Sequence, residues 1–446
     1  MNAEDLDFRA RTRTGCIPPE LVSRIIELGY VEEVRLQAGR GEWFCAREWA
    51  WLLAGQERRA EALEVLAPYL ATGWWEAAAT TAELLEGWGR VDEAIALARP
   101  YAEGGDRLAL DRVARMLARN GRSAEAFALL APHVQDWFLA GALIAVSAGL
   151  GRDEDVAALL TARLEVIERR CDSPSCRCAA PDPLLVGRLA EIRERQGRID
   201  EAIAVLRTRS STSVNNRDQL ADLLARHDRI EELREYAADE YHGHAAERLA
   251  DLLGERGDVD GAIAVYQRST SRNGSGEVRL AELLTRHGRG DEALEILRSL
   301  ADTYSSDDCI VHTLCEHYTA LGRPEDALAY LDARKERHGA EEWEFFCLRL
   351  PLMVACGRRA EAIKLAEGHP EGDTWYAARA IAELLSGDGR HEEALEILES
   401  HDLRSTTAAH LIELGRISEA VTLLQRHEPR PTEQLWTGTP DDPPPF

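Results

Sequence analysis

Residues 283–297 read LLTRHGRGDEALEIL. Leu280, Leu283 and Leu284 before the Gly288-Arg289 pair, and Ala293, Ile296 and Leu297 after it, recur at helical spacing, which predicts two amphipathic helices broken at the glycine. Glycine enters the left-handed conformation that closes a helix C-terminus, where a Cβ would meet steric resistance. Arg289 then lies near the negative end of the first helix dipole, and Asp291 and Glu292 lie at the positive start of the second. Ala293, five residues past the turn, is small enough to let two antiparallel helices approach closely.

The phrase returns through nearly the whole chain, as LLEGWGRVDEAIALA at 84–98, IRERQGRIDEAIAVL at 192–206 and LLSGDGRHEEALEIL at 384–398. Aligned on the turn, the copies centre at Gly29, Glu57, Gly89, Gly121, Gly151, Gly197, Asp228, Gly257, Gly288, Gly322, Gly357, Gly389 and Gly415, about 32 residues apart. The position five residues on is alanine in ten copies, with Val34, Val156 and Leu233 in the others. Each hairpin has an apolar face it cannot bury alone, so the copies must stack. About 26 helices in a one-layer array follow, stabilised by contacts between neighbours and without a single globular core.

Ala281, Gly288 and Ala293 stand where the tetratricopeptide repeat (TPR) family has its small first-helix residue, turn glycine and second-helix alanine, and over about residues 21–427 the chain resembles that family. The resemblance implies an all-α fold, a right-handed α-solenoid of about 13 helix-turn-helix repeats whose concave surface binds a protein or peptide. The copies run shorter than the family period and mostly lack its closing proline, as in a degenerate member of the actinobacterial type. Lys335 and Lys364 are the only lysines among 53 basic residues, which fits a GC-rich bacterial genome.

Composition narrows the function. With 45% hydrophobic residues the 446-residue chain has ample material to fold. Its net charge of -26 repels phosphate backbones and anionic lipid, so nucleic acid, membrane surface and the RNA-reading pentatricopeptide architecture are disfavoured. No segment reaches the roughly 20 apolar residues that span a bilayer, and MNAEDLDFRARTRTG lacks the apolar core of an export signal; a cytoplasmic protein is expected. Nine scattered cysteines fit free thiols in a reducing compartment.

The pattern breaks between Gly151 and Gly197, an interval of 46 residues containing RRCDSPSCRCAAPDPLL. The organisation expected is an N-terminal arm (1–20), a Trp-rich repeat region (21–168), a Cys- and Pro-containing loop (169–183), a second repeat region (184–427) and a Pro-rich disordered tail (428–446). Cys171, Cys176 and Cys178 in the loop have a spacing suited to three thiolates around a structural zinc ion, with free loop thiols as the alternative and no fourth ligand visible. No other cofactor is implied.

Six residues before the turn, on the surface that the resemblance makes concave, stand Glu83, Glu191, Asp222, Asp251, Glu282, Glu316 and Glu383. A groove lined this way suits a basic protein or peptide. The alternative is that Glu191 with Arg195, Asp222 with Arg226 and Glu282 with Arg286 form i,i+4 pairs within their own helices. Glu83, Asp251, Glu316 and Glu383 lack such a partner and are the candidate partner-binding acids. Trp51 occupies the same register and is the candidate aromatic anchor, whereas the other tryptophans between 43 and 137 are read as repeat core. His312, Cys315 and His317 do not share a helix face, and no nucleotide-binding, zinc-protease or nucleophile-elbow motif occurs. The expectation is a non-enzymatic interaction scaffold. A ligand- or peptide-sensing regulator acting through a partner protein is the alternative, and the oligomeric state is open.

Overall fold

The computed structural model describes residues 2–168, 183–209, 214–239, 243–268, 274–339 and 341–426. Cys171, Cys176 and Cys178, and the tail from 427 onward, lie outside the described residues. Among the described residues there are 28 α-helices, one 3-10 turn and no strand. Twenty-six of these helices flank the thirteen turn positions, giving the all-α repeat solenoid. The other two are Ala3–Thr12, within the expected arm, and Trp343–Phe346, the detached start of a first helix that resumes at Arg349–Ala355. Pro351 explains the interruption, because it has no N–H for the Cys347 carbonyl, which takes the Leu350 N–H at 3.2 Å instead.

All thirteen turn residues have positive φ, including the two that are not glycine, Glu57 at 62° and Asp228 at 58°. In twelve copies the N–H after the turn bonds the carbonyl five residues back, as Arg289 does to Leu284 at 2.9 Å, the hydrogen bond of a Schellman cap. The residue five past the turn is buried in every copy, and Ala293 has no accessible surface. The turn arginine does more than face a helix dipole. In eleven copies its guanidinium grips the acid three residues on, as Arg289 grips Glu292 at 2.8 and 2.6 Å. In several copies it also reaches the acid of the preceding one: Arg229 to Asp200 at 2.7 Å, Arg323 to Asp291 at 2.8 Å, Arg416 to Glu392 at 2.9 Å. These pairs are exposed and individually weak, so they set the register of neighbouring hairpins more than they stabilise them.

Two compact units result, one of residues Met1–Tyr101 with Asp373–Phe446, the other of Ala102–Gly372. In the second unit each hairpin packs on its sequence neighbours, and first helices also touch first helices, as Pro183–Arg195 touches Val214–Arg226. The long interval does not interrupt the stack: Arg195 bonds Asp153 at 2.5 Å and the Ile144 carbonyl at 2.7 Å.

The first unit departs from the expectation of neighbour contacts alone. Its two chain segments share one core, in which Ile17, Val22 and Ile25 are buried together with Leu411, Ile412, Ile417 and Val421. Helix Pro19–Glu27 packs against Arg404–Glu413, so the first and last hairpins meet. Periodicity encodes which hairpins are adjacent in sequence and carries no information about the array's ends. The helix Ala3–Thr12 is docked here too, through buried Leu6 and a Trp74 Nε1 bond to Asp7 at 3.3 Å. Beside it, Glu42 is 3% exposed, caps helix Trp43–Gly55 by accepting from Cys45 N at 2.9 Å, and accepts from Ile17 N at 3.3 Å. Burial pushes the Glu42 carboxyl above its usual range.

Three outcomes follow. Glu57→Gly and Asp228→Gly each raise the melting temperature, because relief of left-handed strain of roughly 1–2 kcal/mol exceeds the added chain entropy of glycine, roughly 0.5–1 kcal/mol; a lower melting temperature for both contradicts the turn assignment. Ala293→Asp buries an unpaired charge and costs several kcal/mol in a denaturant titration, or else the register is wrong. The ionised form of Glu42 is penalised in the fold, so the penalty is absent at pH below its unfolded pKa and grows as pH rises through the raised folded value. The melting temperature of Glu42→Gln relative to the parent therefore increases from pH 4 to pH 8, and parallel profiles would refute the assignment.

Candidate functional site

The acid register lies on the first helix of each hairpin, and its residues are largely solvent-facing, unlike the alanine register. In the second unit the row is not a bare acidic strip. Glu191 pairs with Arg188 at 2.9 Å, Asp251 with Arg248 at 3.7 Å and Glu282 with Arg279 at 3.0 Å, each with an arginine three residues earlier. Two of the three i,i+4 partners weighed from sequence are engaged elsewhere: Arg195 goes to Asp153, and Arg226 goes to Glu194 at 2.9 Å. Asp222 crosses to the next first helix, 2.7 Å from Arg248 Nε. Arginine three residues before the acid is therefore the signal that sequence reading passed over. It makes this part of the row alternate in sign and ties adjacent first helices together.

Of the four acids expected to lack partners, Asp251 is thus charge-paired. Glu316 lies 3.5 Å from His312 Nε2, and Glu383 lies 3.7 Å from Arg379 Nε, each with a residue four earlier. Both carboxylates keep about two thirds of their side-chain surface open to solvent, 68% and 65%. Glu83 is half-buried. Trp51 is 41% exposed, whereas Trp43, Trp49 and Trp74 are buried. Trp43 packs edge-on to Trp74 at 4.8 Å and against Tyr69 at 5.1 Å, so three of the seven N-terminal tryptophans are core, while Trp75 and Trp88 are half-buried and Trp137, like Trp51, is exposed.

Around Glu316 the chemistry changes. The next copy has Pro351 in the acid register, with Leu348 and Leu352 on either side of it, and between helix Asp308–Ala320 and this broken helix opens a cleft of about 640 Å³. Cys315, Cys347, Thr319 and Ala320 also line it, and among the described residues of the lining His312 and Glu316 are the imidazole and the carboxylate. Burial pushes the Cys315 thiol up to about 12 and raises that of Cys347, so both stay protonated and the floor is uncharged. His312, Cys315 and His317 do not converge: His317 Nδ1 is 2.9 Å from the Thr313 carbonyl, and Cys315 is buried. The stretch CLRLPLMVAC (347–356) carries the signal for this cleft, a run that is apolar apart from Arg349 and has proline where seven other copies have an acid. An apolar slot with one exposed carboxylate at its rim is equipped to hold an aliphatic or aromatic side chain next to a cation.

No family model matches the chain. No curated protein matches it. Among solved structures, that of Naa15/Naa10 bound to HypK-THB is 14% identical, with 94% of this chain and 73% of that chain covered and a TM-score of 0.44. TTC0263, a thermophilic TPR protein of Thermus thermophilus, is 25% identical, with 37% of this chain and 97% of that chain covered and a TM-score of 0.26. MamA is 16% identical, with 37% and 96% covered and a TM-score of 0.25. The chain is similar to these helical proteins, while its own left-handed turns, buried alanines and stacked hairpins make it a TPR-like α-solenoid.

Proposed function

We propose that the protein is a non-enzymatic interaction scaffold that holds a segment of another protein, and that the cleft between Asp308–Ala320 and Arg349–Ala355 is where the segment anchors. The observation that carries this reading is the cleft's make-up: an uncharged floor from Cys315, Leu348, Pro351 and Leu352, with the Glu316 carboxylate exposed at the rim. The partner segment presents an apolar side chain to the floor and a lysine or arginine to Glu316. Its basic character is thereby local to one residue, since the acids of the neighbouring copies are already met by Arg188, Arg248 and Arg279. In the other unit, Trp51 and Glu383 are exposed and serve as further contact points of the same chemistry.

The test is a random peptide array probed with the full chain. Bound peptides should be enriched in Leu, Met or Phe within two positions of Lys or Arg. Glu316→Ala should weaken them several-fold and flatten their salt dependence, because a rim charge acts through screened attraction. Glu295→Ala, an exposed acid on a second helix, serves as control. Equal binding by the two variants, or selection without the paired pattern, would falsify the reading.

A further inference from the structure

The meeting of the first and last hairpins is built from side chains that fit one another. Arg24 forks onto Glu413 with Nε to Oε1 at 2.6 Å and a second N–H to Oε2 at 2.9 Å. Gln425 donates from Nε2 to Oε1 of Gln37 at 2.9 Å, and Gln37 is only 1% exposed. The Tyr30 hydroxyl sits so close to Gly415 that a Cβ there would lie 2.6 Å from it. Beneath these contacts lies the shared apolar core. The hydrogen bonds of this junction span 388 or 389 residues, while bonds between successive hairpins, such as Arg416 to Glu392 and Arg198 to Glu154, span 24 and 44.

That difference has a physical consequence. A hairpin-on-hairpin contact between sequence neighbours is nearly intramolecular by necessity, since only a short linker joins its two sides. The junction's two sides are joined through the whole of the second unit, so the same faces on a second molecule can make the same contacts. The faces are different and complementary, which makes the pairing heterologous. Two molecules that exchange ends make two junctions and close, with the contacts of the junction preserved. Whether one chain or two satisfies the junction is then a matter of effective concentration.

We propose that this junction is also a self-association surface, its partner a second copy of the chain: residues 17–37 of one molecule seat on residues 404–426 of another, reciprocally, in an end-exchanged dimer.

Complementary charge reversal tests it on the full chain. Arg24→Glu alone places two acids at every junction, within one chain or between copies, and Glu413→Arg alone places two arginines there. Each by itself should be monomeric by light scattering. Unfolded together in urea and refolded as an equimolar mixture, the two can form matched pairs only between unlike copies, so a dimer containing one of each should appear in native mass spectrometry. The double variant Arg24→Glu/Glu413→Arg restores the match within one chain and should return to the monomer. A mixture that stays monomeric, or dimers of either single variant alone, overturns the proposal. Should a single variant fail to refold, Gln37→Cys and Gln425→Cys proteins are co-refolded at high concentration and treated with a short bismaleimide. A crosslink between residue 37 of one copy and residue 425 of the other supports exchange, and its absence, with crosslinking intact in the Gln37→Cys/Gln425→Cys chain, refutes it.

Discussion

Thirteen backbone positions held at positive φ govern everything else in this chain. A left-handed residue ends one helix, the Schellman bond behind it satisfies a carbonyl that would otherwise be orphaned, and the chain reverses within three residues. Only then can a residue five positions on meet the preceding helix, and only a small or well-fitted side chain there lets the two approach. Glu57 and Asp228 show that the geometry is demanded by the packing and not merely permitted by glycine, since both adopt it against their own preference.

The charges are organised by the same turn. The arginine that follows it binds forward to its own helix and backward to the previous hairpin, which consumes much of the acidic surplus on the turn edge in exposed, register-setting pairs. A chain of net charge -26 thus presents a surface that is locally mixed in sign. Unsatisfied chemistry is left where the pattern fails. The copy centred on Gly357 has proline in place of an acid, its first helix breaks, and an apolar cleft opens beside the exposed Glu316.

The hairpin array was legible because helical periodicity, glycine and alanine are local signals with local causes. Glu316 and Trp51 were legible as solvent-facing residues for the same reason, since register alone tells which face of a helix a side chain occupies. What register could not give was partner choice. For Glu191, Asp222 and Glu282 the alternative to a binding surface was pairing with arginines four residues ahead, but a guanidinium chooses among all carboxylates within reach, and those of neighbouring hairpins lie closer in space than in sequence. The cleft escaped because it forms between two successive copies and depends on Pro351, which the repeat alignment did not single out. The junction escaped most completely: Arg24 and Glu413 have no sequence relation that any period could disclose.

Joining the ends also settles how the molecule carries load. In an open array, tension applied through the termini peels off a terminal repeat first, and the rest follow one by one. Here the first and last hairpins belong to one compact unit with a common core, so a pull that separates them is borne first by the Arg24–Glu413 fork and the apolar layer beneath it. Within this unit neither hairpin peels away until that fastening gives way, and resistance to separation is concentrated where Arg24 meets Glu413.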